Sequence, residues 1–206
     1  MTTHNRQHTT RNARAALLVA SVITGALLLT GCTPHPAATT TPSATKSATP
    51  TPTPTVTKSA APTSEDDAIK SATSAIDHFL EVRGKVNAAG GVDPSPLSTV
   101  ATGPALSIVT ADAKRLADAG SKSTGVISYS IQSAYASDLT QAGKTIPFGT
   151  VSTTGCQDGS NYKVFDKAGN PVQQPEGNSI INMTVLYSPQ DESWLVQNVT
   201  ASGVKC

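Results

Sequence analysis

The side chains in this 206-residue chain that could carry chemistry are few and scattered. Cysteines stand at positions 32, 156 and 206, and the histidines at 4, 8, 35 and 78. A thiolate and imidazole metal site needs several such ligands brought close together. With only two sulfurs in the second half of the chain and no histidine near either, no metal is expected, and no nucleotide or cofactor loop suggests a cofactor. Asp77 and His78 are adjacent, so on a helix their side chains point about 100° apart and do not share a face. His78 is expected to be a surface or packing histidine. Tyr129 and Tyr135 alternate with apolar residues and read as core or as the wall of a pocket. Trp194 reads as a core plug, with an exposed binding platform as the less favoured alternative. Asp158 precedes Gly159 and reads as a turn residue. Gly90-Gly91 lacks the Lys-Ser/Thr that would complete a phosphate loop and reads as a helix exit. No catalytic residue is expected.

The remaining chemistry sits at Leu29-Thr30-Gly31-Cys32. Residues 1–14 are polar with Arg6, Arg11 and Arg14 and no acid, Ala15–Leu29 is apolar apart from Ser21, Thr24 and Gly25, and small residues follow. That is the three-part order of an export signal. As a helix the apolar run reaches about 22 Å, short of a hydrocarbon core of about 30 Å, so a permanent span is the weaker reading. Arg11 and Arg14 are not adjacent, which favours the general secretion route over a twin-arginine one. The tetrapeptide resembles the lipobox of bacterial lipoproteins. The resemblance implies cleavage between Gly31 and Cys32, a diacylglycerol thioether on Cys32 with palmitate-like chains, and attachment to the extracytoplasmic face of the cell membrane. Two acyl chains make such an anchor stable, because each buried methylene contributes about 0.8 kcal/mol. Lipid on Cys32 would leave an even number of cysteines, as an exported chain favours.

Behind Cys32, Thr33–Thr63 contains seven Pro, eleven Thr, six Ala and three Ser, with almost nothing able to form a core. The run Thr49-Pro50-Thr51-Pro52-Thr53-Pro54-Thr55 favours polyproline II, so residues 32–63 are expected to be a disordered, semi-stiff tether. From Ser64 onward ten basic side chains face fourteen acidic ones, a net charge of −4. That balance carries no basic stripe and argues against nucleic acid as a partner.

Residues 64–206 read as one globular domain. Thr63 or Ser64 caps a helix over about residues 65–86, with Asp66 or Asp67 three residues on and Ile69, Ala72, Ile76, Phe79 and Leu80 at three- and four-residue spacing. A short element follows Asp93-Pro94, and Pro104 starts a further helix with Leu106, Val109, Ala113 and Leu116 on its apolar side and Gly120 at its end. The period then changes to two. Gly125–Ala136 places Ile127, Tyr129, Ile131 and Tyr135 on one face of a strand, and Phe148–Asp158, Tyr162–Asp166, Ile180–Tyr187 and Trp194–Ser202 continue as strands. The class is α+β, with N-terminal helices packed on a curved antiparallel sheet.

This order resembles the cone-shaped fold of the nuclear-transport-factor-two-like superfamily. More narrowly, Gly155-Cys156-Gln157-Asp158, Gly169-Asn170-Pro171-Val172, Trp194-Leu195-Val196 and the terminal Cys206 are similar to motifs of small actinobacterial lipoproteins. That resemblance implies a Cys156–Cys206 disulfide and a pocket on the concave face of the sheet, walled by Tyr129, Tyr135 and Trp194. The expected function is a surface-exposed, membrane-anchored lipoprotein. Its domain would be a non-catalytic module for a small apolar ligand or an envelope protein, with the membrane as partner through lipid on Cys32. Two alternatives stand beside it: a lipid-anchored isomerase- or cyclase-like enzyme using the cone pocket, and a phage-type surface exclusion lipoprotein.

Overall fold

The computed structural model describes residues 58–174 and 178–206. The expected signal peptide, its cleavage point at Gly31 and Cys32, and the tether as far as residue 57 lie outside the described residues.

Helix α1 runs Glu65–Ala88. The Ser64 hydroxyl accepts the Asp67 N–H at 3.2 Å, and Glu65, Asp66 and Asp67 place negative charge where the helix dipole is positive. Its buried stripe is Ala68, Ala72, Ile76, Phe79, Val82 and Val86, a three- and four-residue recurrence that reaches the expected end, and the helix runs two residues past it. Ile69 and Leu80, expected in that stripe, sit at its margins. A 3-10 turn over Ser95–Thr99 leads into α2, Gly103–Ala119, which buries Ala105, Val109 and Ala113 and ends at Gly120 in a left-handed conformation. Between the helices, Gly91 has φ 69°, and a Cβ there would stand 2.0 Å from the Ala113 carbonyl oxygen. Only glycine lets α1 hand the chain on so close to α2.

Seven strands follow: β1 Lys122–Thr124, β2 Ser128–Gln141, β3 Lys144–Asp158, β4 Lys163–Phe165, β5 Pro171–Val172, β6 Ser179–Ser188 and β7 Ser193–Lys205. β2, β3, β6 and β7 form an antiparallel sheet in that order, and β1, β4 and β5 form a small second one. The helices lie on one face of the larger sheet. Phe79 and Ile76 pack there in a core with Val151, Met183, Val185 and Val196, all at most 1% exposed. Burying a side chain the size of Phe79 contributes about 1.5–3 kcal/mol. The other face is uncharged and hydroxyl-rich along a row that runs Tyr135, Ser152, Thr184, Asn198 across the four strands.

The register breaks in four places. An extra residue, Gln132, sits in β2 between Ile131 and Ser133, and β7 carries extra residues at Gln197 and at Ser202–Val204. In β3 the extra stretch is Pro147–Gly149, where Phe148 takes φ 55° and its N–H donates to Asp138. Gln132 overturns one expectation directly. A strict two-residue alternation puts Tyr135 on the same face as Tyr129, but the added residue flips every side chain after it, so Ala134 and Ala136 turn toward the helices and Tyr135 is 61% exposed.

Cys156 and Cys206 form a disulfide with their Cα atoms 5.8 Å apart. It ties the C-terminal end of β7, whose residues Ala201–Lys205 are exposed, to the end of β3.

Candidate functional site

The chain enters the head before its first helix. Lys58–Thr63, assigned to the tether by composition, lies against the β6–β7 turn and α1. The Ser59 N–H donates to the Glu192 carbonyl, the Tyr187 hydroxyl donates to the Ser59 carbonyl at 3.1 Å, and Lys58 pairs with the Glu192 carboxylate at 2.7 Å. At the far end the Thr63 hydroxyl donates to the Asp67 carboxylate. Composition showed an entropy-rich stretch; the bonds of Lys58 and Ser59 come from partners more than a hundred residues away, which composition does not register.

This strap is one wall of a cavity of about 520 Å³. The facing wall is the solvent side of α1, where Asp67, Lys70, Ser71, Ser74, Ala75 and His78 recur at helical spacing. Thr99 and Val100, at the exit of the 3-10 turn, and Ser193 and Trp194, at the start of β7, complete it. The volume is in the range of small-molecule sites.

Trp194 is 6% exposed and meets the Tyr187 ring edge-on, with centroids 5.7 Å apart and planes at 62°. Its ring is therefore packed, as a core plug would be, yet its indole Nε1 has no hydrogen-bond partner. The same holds for Ser193 Oγ, in a residue only 3% exposed, and for His78 Nε2. Among the described residues five buried side-chain polar atoms lack a partner, and these three belong to residues lining the cavity. A buried donor left unpaired costs about 1–3 kcal/mol. Three of the five thus fall in residues around one cavity.

The charges around the cavity are mostly committed within it. Asp67 is held below the usual carboxylate range, first by the Thr63 hydroxyl and then by that of Ser64. Lys58 is held above the usual ammonium value by the hydrogen bond and charge of Glu192. His78 Nδ1 stands 3.6 Å from the Glu81 carboxylate, which leaves Nε2 as the atom turned away from that partner. Lys70 makes no ion pair among the described residues.

The three residues expected to wall one pocket are not brought together. Trp194 lines the cavity. Tyr129 does not: its hydroxyl donates to the Ile181 carbonyl and meets Thr153 Oγ1, both at 3.1 Å, inside the helix-covered face of the sheet, and burial pushes its phenol up from the ordinary value. Tyr135 faces solvent on the opposite side, for the reason given above. The concave face on which the resemblance placed a pocket is filled by the two helices, and the cavity opens instead beside α1 under the strap. Asp77 is exposed, and Asp158 caps its own turn, accepting the Ser160 N–H at 2.8 Å, which lowers its carboxyl. Sequence reasoning passed over Lys70, Ser71 and Ser193. On a helical wheel the first two look like any solvated face, and nothing local marks the hydroxyl beside Trp194.

Chemically the cavity offers hydrogen-bond donors and an apolar surface from Ala60, Ala61, Pro62, Ala75 and Val100. No hydrogen bond links the Ser193 hydroxyl to a base, and among the described residues no three His, Cys, Asp or Glu side chains come together as a metal site would require. No described helix is long and apolar enough to cross a membrane.

No protein-family model matches the chain, and no curated protein does. Among solved structures, the crystal structure of the intermembrane space region of chloroplast protein ARC6 is similar at 17% identity and a TM-score of 0.40, over 64% of this chain and 94% of that one. A likeness at that score carries no argument about function.

Proposed function

We propose that this chain is a lipid-anchored protein of the extracytoplasmic membrane face whose folded head is a non-catalytic binding module, with the cavity beside Trp194 as its ligand site. The observation that carries the binding part is the gathering of unpartnered buried atoms of His78, Ser193 and Trp194 around one cavity. The anchor rests on Leu29-Thr30-Gly31-Cys32 behind a basic start and an apolar run, followed by a stretch fit to be a stalk. A tether of that length holds a binding head near the membrane at high effective concentration without fixing its orientation. An isomerase- or cyclase-like reading is less well supported, since it needs a buried ionisable group facing a donor. In this cavity Asp67 is exposed and already bonded to Thr63.

Two measurements test the two halves. Intact-mass analysis of the membrane-extracted chain is expected to show a protein beginning at Cys32 and carrying diacylglycerol and fatty acyl mass. Cys32→Ala is expected to lose it and appear in the soluble fraction. An uncut leader or an unmodified Cys32 would overturn the anchor. Native mass spectrometry of the gently extracted chain is expected to show a retained small molecule that Ser193→Trp, which fills the cavity, expels; retention unchanged in that variant would overturn the site.

A further inference from the structure

We infer that the cavity beside Trp194 selects small organic carboxylates. The inference deepens the binding reading above and does not depend on the lipid anchor. It rests on two lining residues whose polar groups can only donate. Trp194 Nε1 only donates, and it has no partner. Ser193 Oγ has none either, and Lys70 brings three further N–H donors with no carboxylate paired to them among the described residues. The Asp67 carboxylate accepts the Thr63 hydroxyl through one oxygen, and the Ser64 hydroxyl accepts from the Asp67 N–H. The hydroxyl hydrogens of Ser59, Ser74 and Thr99 are given to main-chain carbonyls and that of Thr63 to Asp67, so these four groups have no donor left for a ligand. Trp194 Nε1 and Lys70 Nζ can only donate, so a ligand group that meets both must bring oxygen lone pairs.

A carboxylate brings two acceptor oxygens and a charge, and charge-assisted bonds are roughly twice as strong as neutral ones. Lys70 supplies the opposite charge, while Lys58 is neutralised by Glu192. The body of the ligand meets Ala60, Ala61, Pro62, Ala75 and Val100, which are methyl and methylene surface. An acid with a short aliphatic chain or a single ring fits that lining and the volume of about 520 Å³. Access comes from the strap. Neither Ser193 Oγ nor Trp194 Nε1 is open to solvent, but Ala60, Ala61 and Pro62, which line the same cavity, make no main-chain hydrogen bond to the head between the bonds at Ser59 and Thr63. Their displacement enlarges the cavity that Ser193 and Trp194 also line, without breaking a helix or strand.

The chain has one tryptophan, so the indole N–H gives a single nitrogen-15 correlation peak that reports on the proposed contact itself. The probes are hexanoate and benzoate, with hexan-1-ol and benzyl alcohol as uncharged counterparts of matching body. They are titrated into the chain from residue 32 to 206 carrying Cys32→Ala. The expected result is a saturable downfield shift of the indole peak by both acids, with dissociation constants on the order of millimolar for ligands this small, and binding of the alcohols at least about tenfold weaker. Lys70→Gln and Ser193→Ala are each expected to weaken the acids about three- to tenfold, with the alcohols unchanged in Lys70→Gln. Lys70 is exposed, and the Ser193 hydroxyl bonds nothing, so neither variant threatens the fold. Equal binding of acid and alcohol, no saturation, or acid binding indifferent to both substitutions would each overturn the inference. If the acids fail while the membrane-extracted chain still retains a molecule that Ser193→Trp expels, the ligand class is wrong and the binding site stands.

Discussion

The disulfide should be the largest single contributor to the stability of this head that can be removed without touching its core. The perturbation is Cys156→Ser with Cys206→Ser, compared with the oxidised parent. Cys156 and Cys206 are separated by 50 positions, and closing a loop of that length restricts the unfolded chain by about 4 kcal/mol in the chain-entropy account. Nothing in the folded state offsets this, since Ala201–Cys206 are exposed and bury no apolar surface when tied down. For a head of this size the midpoint of thermal unfolding should fall by about 10–15 °C. The comparison that isolates the cause is a chain ending at Thr200, which loses the crosslink and the exposed strand end together. If the effect is entropic, it should match the double serine variant within about 1 kcal/mol. Urea melts followed by Trp194 fluorescence give both numbers, and adding reductant to the parent gives an independent third. Two results would refute the reasoning. A loss below about 1 kcal/mol in the double variant would mean the unfolded chain is already constrained. A truncated chain much weaker than the double variant would mean the strand end stabilises through its own contacts.

Phe79→Ala, at 1% exposure in the helix–sheet core, should cost about 3–5 kcal/mol in the same melts. Gly91→Ala should prevent folding or nearly so, because its Cβ would fall 2.0 Å from the Ala113 carbonyl oxygen at a positive φ; a soluble variant with the parent's circular dichroism would contradict so close an approach of the two helices. Stability should also fall on acidification. Asp158 and Asp166 are both held below the usual carboxylate range, the first chiefly by the Ser160 N–H and the second chiefly by the Asn170 N–H. A depressed carboxyl contributes above its unfolded value of about 4 and loses that contribution as pH drops through the folded value, so the change lies below about pH 4. Asp166→Asn should flatten that limb in urea melts between neutral and acid pH.

The elements with strong local signals were legible in the sequence. Ser64 with the acidic first turn fixed where α1 begins, Pro104 and Gly120 bracketed α2, and alternation found the cores of β3, β6 and β7. What escaped has non-local causes. In the small sheet β4 lies within the expected strand Tyr162–Asp166, but its partners β1 and β5, of three and two residues, are too short for a period to declare itself. The extra residue at Gln132 obeys no composition rule, and it alone decides which way Tyr135 points. The cavity was invisible for a third reason. One wall is chain that reads as stalk, another is the polar side of a helix that reads as solvated, and only the partnerless atoms of Trp194 and Ser193 distinguish the place from ordinary surface.

The irregularities in the larger sheet fall unevenly: three of the four lengthen β2 or β7, its two outermost strands. An unpaired strand with a straight row of amides invites a neighbouring molecule to add on and start a fibre. Extra residues bend that row out of line, so neither rim gives a second copy a continuous ladder to follow. Copies held side by side in a plane, as the proposed anchor would hold them, would meet one another's rims often, and a bent rim offers those meetings no ladder to extend.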